Sequence, residues 1–463
     1  MTSGSGSSST SDVDVVVVGL GPGGEAAATK LAAAGLSVVA VDKHLVGGEC
    51  PYYGCIPTKM MIRAADALAE ARRVPGLAGE ATTVADWAHV ARRIREEATD
   101  DWDDTVAVER LERAGATVVH GLARLVGPRT VEVDGRTYRA SRGVVVNTGT
   151  APGAPPVDGL ATTPYWTNRD VVRMDRLPGS MAVVGGGAIG CEVAQAVARF
   201  GVRVTVLEVA DRILAPEEPE ASALVTSVFT GEGIRVVAGT TIKRVDHGDG
   251  TFTVTLEGET VEADRLLVAA GRRANLADLG LESVGLDPAS RFLDTDGRMR
   301  VLRDGEPVEG LWAVGDVTGK GAFTHTSMYH SGIVVRDILG EDGPEADFRA
   351  LPRVTFTDPE VGSVGLTEAK AREQGLDVRT GSAQLPSSSR GFIHAAGNDG
   401  LIKLVAEGDQ LVGATSVGPS GGEVLSMLTT AIHGRVPVST LRSMIYAYPT
   451  FHRAVLDALE DLG

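Results

Sequence analysis

The chain has 463 residues, more than one hydrophobic core organises, so two to four domains are expected. Hydrophobic residues make up 43% of it and the mean hydropathy is +0.05, the balance of an ordinary folded protein. A net charge of −17 and a pI near 5.0 exclude nucleic acid as the main partner, because phosphate binding needs clustered Lys and Arg.

Residues 1–12 are rich in Gly, Ser and Thr and are expected to form a disordered tail. With neither an apolar stretch nor a charged leader, they do not read as a signal peptide. Residues 13–41 are the most apolar part of the chain. Glycines, Pro22, Glu25 and Lys30 interrupt them too often for a membrane span, and they suit two buried parallel strands around a helix. No membrane partner is expected.

Residues 14–18 read as a strand, followed at once by Gly19, Gly21 and Gly24 and an Ala-rich helical stretch. Residues 37–41 read as the next strand, which ends at Asp42. Strand, glycine turn, helix, strand and acid, in that order, form the dinucleotide-binding arrangement. The glycines let the backbone approach a pyrophosphate, and the helix N-terminus offers it unpaired N–H groups. Asp42 is placed to accept hydrogen bonds from an adenosine ribose.

Cys50 and Cys55 come next, in the run Gly47-Gly-Glu-Cys50-Pro-Tyr-Tyr-Gly-Cys55-Ile-Pro-Thr-Lys59. Three cysteines in the whole chain are too few for a disulfide scaffold, and a reducing cytoplasm is the expected compartment. Five residues of regular helix rise about 7.5 Å, whereas a disulfide tolerates Cα atoms up to about 6.8 Å apart. A pair here therefore needs an irregular segment, which Pro51 and Gly54 suit. Pro57 can open the following helix at its first position, where the helix dipole lowers the pKa of a nearby thiol. The alternatives are two unlinked buried cysteines or a zinc site. No matching Cys/His pair stands elsewhere, and no metal is expected.

The first pattern then recurs. Residues 181–184 lead into Gly185, Gly187 and Gly190, a helix follows, and the strand 202–207 ends at Glu208. Asp42 lies eighteen residues past Gly24, and Glu208 eighteen past Gly190. One such motif is weak, but two with matched spacing imply two dinucleotides. Glu208 favours the free 2′-hydroxyl of NAD(H) over the 2′-phosphate of NADP, although Arg212 stands close by. Cys191, inside the second helix, reads as packing. From about Leu351 the texture changes to strands at 352–356, 400–405 and 410–415 and helices at 422–433 and 450–459, a separate α+β domain.

In this order, the motifs make a chain that resembles the class I pyridine nucleotide-disulfide oxidoreductases, the family of dihydrolipoamide dehydrogenase, glutathione reductase and mercuric reductase. The run from Cys50 to Lys59 is similar to the family's C-x4-C-x3-K redox motif. Asn147-Thr148-Gly149, Gly271-Arg272-Arg273 and Trp312-Ala-Val-Gly315-Asp316 are similar to later cofactor-domain signatures, and residues 355–367 to the start of an interface domain. The likeness covers nearly all of the chain after residue 12. It implies an α/β fold with two Rossmann-like dinucleotide-binding domains and a C-terminal α+β dimerisation domain. Residues 13–150 and 271–345 would bind FAD, 151–270 would bind NAD(H), and 346–463 would form the homodimer interface.

The resemblance also implies roles. Cys50 would be the interchange thiol that attacks the substrate, and Cys55 would lie beside the flavin. Lys59 would sit near flavin N5, paired with Glu192, and Asp316 would hydrogen-bond the ribityl chain. Lys43, Gly48, Thr148, Gly149, Gly271, Arg272 and Gly315 are further cofactor-binding positions by the same likeness. One departure is plain. Where the family carries His-Pro-Thr-x-x-Glu, this chain has Tyr448-Pro-Thr-Phe-His452-Arg453. A phenol with a reference pKa of about 10 is a poor base at neutral pH. His452 falls at another helical angle and is either a packing histidine or a displaced acid–base group.

The expected function is electron transfer from NADH, through FAD and a Cys50–Cys55 disulfide, to a small-molecule disulfide or other sulfur-containing acceptor. Dihydrolipoamide dehydrogenase-like and mercuric reductase-like activities stay open, the latter without the family's C-terminal cysteine pair. So does an unusual thioether or disulfide substrate, as in the branch that cleaves 2-ketopropyl-coenzyme M. A flavin-level quinone or dye reductase with spectator cysteines, and a non-catalytic redox sensor, are the readings outside disulfide chemistry.

Overall fold

A computed structural model describes residues 10–463. Residues 1–9, most of the expected tail, lie outside the described residues. The expectation fails for Thr10, Ser11 and Asp12, which open the strand Thr10–Val18 by pairing with Thr137, Tyr138 and Arg139. Their partner strand Arg136–Val146 is eleven residues long. Its backbone groups seek hydrogen bonds whatever side chains the neighbour carries, so polar residues are drawn into the ladder.

The chain divides into two compact units. The first takes the described part of Met1–Pro57 together with Arg95–Ala151 and Arg272–Asp347. Its main sheet runs in the order Arg300–Arg303, Glu306–Ala313, Arg136–Val146, Thr10–Val18, Val38–Asp42, Thr117–His120. The strands from Arg136–Val146 to Thr117–His120 are parallel. Val15, Val16 and Val17 are fully buried, as a central parallel strand covered on both faces requires. The helix Pro22–Ala33 starts on Pro22, whose missing N–H costs nothing at a first helical position.

The second unit takes Thr58–Ile94, Pro152–Gly271 and Phe348–Gly463. It contains a four-stranded parallel sheet in the order Arg235–Val237, Arg203–Leu207, Ser180–Val184, Arg265–Val268. It also contains a five-stranded antiparallel sheet in the order Pro352–Thr355, Glu360–Gly365, Gln410–Gly418, Leu401–Glu407, Val378–Gln384. The helices Gly421–His433 and Ala454–Asp461 share a core with that sheet.

Two of these five strands, Glu360–Gly365 and Val378–Gln384, were not expected from the sequence. Their glycines are the reason they exist and the reason they read as loops. A Cβ on Gly381 would lie 2.2 Å from the carbonyl oxygen of Ala458, and one on Gly362 would lie 3.0 Å from that of Gly421. The covering helices pack so close that a side chain has no room.

Asn147 fixes the first unit internally. Its Oδ1 accepts from the N–H of Gly24 at 2.7 Å, and its Nδ2 donates to the carbonyl of Val314 at 2.8 Å and to Ser327 Oγ at 3.3 Å. The buried amide thus ties the first glycine-turn helix to two segments far along the chain. Asn147→Ala leaves a buried donor and a buried acceptor without partners, a loss of roughly 2–4 kcal/mol. A lower urea midpoint of unfolding, read by Trp fluorescence, is the expected result, and an unchanged midpoint contradicts it.

Candidate active site

The two glycine turns are built alike. Gly19 has φ +92°, and a Cβ there would lie 2.3 Å from the carbonyl oxygen of Asn147. Gly185 has φ +104°, and a Cβ there would lie 2.5 Å from that of Ala269. In each turn the acid at the end of the second strand is gripped by backbone N–H groups. Asp42 accepts from Leu20 at 2.7 Å and His44 at 2.8 Å, and Glu208 accepts from Gly186 at 2.6 Å and Ala210 at 2.8 Å. The carboxylates therefore stand at the mouths of the turns in a fixed orientation.

Next to both turns the backbone is uncovered at glycine. Gly149, Gly187 and Gly271 face open space, and Thr148 Oγ1 is buried without a hydrogen-bond partner. Around the first turn, Arg272 Nε donates to Thr150 Oγ1 at 2.6 Å, and that hydroxyl donates to Asp316 at 2.7 Å. Gly48 has φ +70° and lies against Gly21, while the N–H of Gly47 donates to the carbonyl of Leu20 at 2.7 Å. The cysteine loop is thereby stitched to the first turn. Gly315, at φ +79°, packs against Ser327 and Asn147 and leaves no space for a Cβ. Lys43 is exposed.

Cys50 lies in the helical turn Glu49–Tyr52, and Cys55 opens the helix Cys55–Arg73. The irregular segment expected between them is Tyr53 and Gly54. Pro57 is the third residue of the helix and not the first. It is tolerated there because the first four N–H groups of a helix have no partner within it. The Cys50 and Cys55 thiols are unbonded here and half-buried. The Cys50 thiol is pushed upward, first by its hydrogen bond to Cys55 and then by burial, against the lowering expected near a helix start. Thr324, which the motifs did not single out, sits with its hydroxyl 3.4 Å from Cys55 Sγ at the start of the helix Thr324–Leu339.

In the second unit, Lys59 Nζ meets Glu192 Oε2 at 2.6 Å. The other oxygen of Glu192 accepts from the N–H of Phe356 at 2.8 Å, and the Lys59 ammonium lies 4.6 Å from the centroid of the Phe356 ring. Glu192 is buried, so the pair is a fixed charge and not a mobile surface contact. Cys191 beside it is fully buried, and its thiol, pushed upward by burial, donates to the carbonyl of Gly186 at 3.3 Å, which fits packing.

Neither residue at the departing positions is arranged as a base. Tyr448 is 71% exposed and donates its hydroxyl hydrogen to Ser389 Oγ at 3.0 Å. Arg453 pairs with Asp457 at 2.7 Å. His452 is half-buried, its ring 6.1 Å from that of Tyr446. Ile445, three residues before Tyr448, is 99% exposed, and Phe392 and Ile393, shortly after Ser389, are exposed too. Among the described residues no His/Cys/Asp/Glu group could hold a metal ion, and no helix is long and apolar enough to cross a membrane.

Comparison with known proteins places these features. Residues 13–331 match the family described as pyridine nucleotide-disulphide oxidoreductase, and residues 351–459 match its dimerisation domain, which supports a homodimer. The chain is similar to a dihydrolipoyl dehydrogenase of Thermus scotoductus, 33% identical over 460 residues with 95% of each chain covered. It is similar to a mercuric reductase of Streptomyces lividans, 34% identical over 454 residues, with 94% of this chain and 92% of that one covered. Among solved structures, the HOCl-induced flavoprotein disulfide reductase RclA of Escherichia coli has a TM-score of 0.84 at 26% identity, over 96% of this chain and 99% of that one. LpdA of Mycobacterium tuberculosis has a TM-score of 0.85 at 25% identity, over 97% and 100%.

The thiol pair is open to a direct count. Air-oxidised protein, denatured in a thiol reagent, should show one free thiol, that of Cys191, and chemically reduced protein should show all three. Three thiols in the oxidised sample would rule out pairing of Cys50 with Cys55.

Proposed function

The chain belongs to the pyridine nucleotide-disulphide oxidoreductase family and is an NAD(P)H-dependent flavin disulfide oxidoreductase, and on that premise we propose that it carries two electrons from NADH through Cys50 and Cys55 to a sulfur-containing acceptor. The observation that carries this reading is the placing of Cys50 in one helical turn and Cys55 at the start of the next helix, with the Thr324 hydroxyl 3.4 Å from Cys55 Sγ. Residues 13–150 with 271–345 hold FAD in this reading, 151–270 hold NAD(H), and 346–463 form the interface with a second copy. Cytoplasm is the compartment that suits a chain with three cysteines and no disulfide scaffold.

Bound flavin supplies a two-electron relay between the nicotinamide and the cysteine pair. The thiol chemistry belongs to the protein. The Cys50 thiolate attacks one sulfur of the acceptor disulfide, and the other half leaves as a thiolate that needs a proton. Cys55 then attacks Cys50, the intramolecular disulfide forms, and the second half leaves and is protonated in turn. Thr324 can hydrogen-bond a Cys55 thiolate, and Lys59, held by Glu192, is the fixed cation on the same helix.

In this reading neither Tyr448 nor Arg453 serves as the proton carrier for the leaving thiolates, and His452 is the remaining candidate. Tyr448 is engaged by Ser389 and Arg453 by Asp457, and this favours a second reading, a reductase whose acceptor takes electrons at the flavin. The activities named for the two relatives, dihydrolipoyl dehydrogenase and mercuric reductase, both fall within the first reading.

Two measurements test the proposal. Positioned acid–base catalysis is typically worth about 10²–10⁴-fold, so lipoamide or glutathione disulfide should turn over at a small fraction of the rate at which NADH reduces the enzyme. Tyr448→His with Arg453→Glu should raise that turnover, and Cys50→Ser should abolish it. Wild-type turnover that keeps pace with enzyme reduction contradicts the missing-base argument, and activity that survives Cys50→Ser selects the flavin-level reading.

Coenzyme choice is the second measurement. Glu208 stands fixed at the mouth of the second turn, and Arg212, the nearby cation, donates to the carbonyls of Ala215 at 2.9 Å and Glu217 at 3.4 Å. NADH should therefore reduce the enzyme faster than NADPH, and Glu208→Ala should raise the KM for NADH and narrow the gap. A wild-type preference for NADPH overturns the assignment.

A further inference from the structure

The loop after Glu208 is held from outside itself. Ile213 is fully buried against Gly186, and the N–H of Leu214 donates to the carbonyl of Gly186 at 2.7 Å, which folds the loop over the glycine turn. Leu214 has φ +50°, a left-handed conformation that a leucine keeps only when its surroundings enforce it. Arg212 is equally constrained. Its guanidinium is turned back on the carbonyls of the loop, and its Nε is buried without a hydrogen-bond partner.

The enforcement comes from two consecutive carboxylates at the end of the loop. Glu217 accepts from Arg353 twice, at 2.7 and 2.9 Å, and from Ser363 Oγ at 2.5 Å. Glu218 is 2% exposed and accepts from the N–H of Glu368 at 2.7 Å and from Lys403 Nζ at 3.0 Å. Lys403, itself buried on the strand Leu401–Glu407, also meets Glu220 at 2.8 Å and Glu368 at 3.0 Å. One ammonium thus serves three carboxylates. Arg353, Ser363 and Lys403 all belong to the five-stranded sheet, far in sequence from the nucleotide-binding strands.

We propose that Lys403 and Arg353 are positioning residues for coenzyme choice, anchoring the loop of residues 209–218 so that Arg212 stays folded on its own carbonyls and is withheld from a 2′-phosphate. The proposal rests on the reading that Glu208 receives the adenosine ribose. With the anchor in place, a dinucleotide carrying a 2′-phosphate meets the Glu208 carboxylate and no compensating cation. With the anchor removed, the strained turn at Leu214 relaxes, the buried Nε gains water or phosphate as a partner, and Arg212 can swing toward the added charge. Loss of Lys403 leaves Glu218 buried with a backbone N–H and no opposite charge, an arrangement poorly tolerated in an interior.

The test is the ratio of kcat/KM for NADPH to that for NADH, measured on flavin-loaded protein. Lys403→Met should raise the ratio about fivefold, the worth of one partly exposed ion pair. Arg353→Lys keeps the charge and loses the two-pronged contact, so it should shift the ratio the same way if Lys403→Met fails to fold. Adding Arg212→Ala to either variant should return the ratio to the wild-type value, whereas Arg212→Ala alone should leave it unchanged. A purely structural role lowers flavin content or activity with both coenzymes alike and leaves the ratio where it was. That outcome, or a raised ratio that persists without Arg212, overturns the proposal. Failure of the underlying reading shows separately, as an unchanged KM for NADH in Glu208→Ala.

Discussion

A carboxylate gripped by backbone N–H groups closes each glycine turn, and in each unit the loop that leaves the acid depends on that closure. Asp42 and Glu208 each join the middle residue of a Gly-x-Gly turn to a residue two positions beyond the acid. The grip brings strand end, turn and adjoining loop to one place. Glycine is needed there because Asn147 and Ala269 pass within 2.6 Å of where a Cβ would be. The cysteine loop hangs from the first closure through Gly47 and Gly48, and the loop of Arg212 hangs from the second through Leu214. In the proposed reading, chemistry and coenzyme choice are both set by the loop that leaves an acid at the end of a second strand.

Much of this could be read in the sequence because a close approach of backbone to backbone is a local demand. Gly19, Gly24, Gly185 and Gly190 are visible as glycines, and the spacing to Asp42 and Glu208 repeats. The ion pair of Lys59 with Glu192 was legible only through family likeness, since 133 residues separate them. Thr324 was not legible at all. It is a single threonine 269 residues from Cys55, and nothing in its neighbourhood marks it. The anchor of the Arg212 loop was hidden for a similar reason. Glu217, Glu218 and Lys403 look like surface charges until the fold buries them together. The strands Glu360–Gly365 and Val378–Gln384 were obscured by the glycines that let helices press against them.

Charge is used in two ways here. At Lys59 and Glu192 one ammonium and one carboxylate are paired, with a ring and a backbone N–H taking the remaining contacts. At Lys403 the acids outnumber the base, and a backbone N–H and solvent carry part of the load. Burial opposes the charge on Lys403, and the surrounding carboxylates more than offset it, so the amine stays protonated. A chain with a net charge of −17 can place many carboxylates on few cations, and each such cation becomes correspondingly hard to replace.

The discontinuity of the first unit has a consequence for biosynthesis. Its central strand Thr10–Val18 pairs with Arg136–Val146, and that strand pairs in turn with Glu306–Ala313. The unit cannot be completed until residues up to Asp347 have left the ribosome. From Pro57 to Asp347, about 290 residues at 5–20 per second, this amounts to roughly 15–60 seconds of translation. Throughout that interval Cys50 and Cys55 are carried on a nascent chain that has not yet sheltered them. A cell under oxidant stress would therefore meet these thiols first as a ribosome-bound liability, and only later as a catalyst.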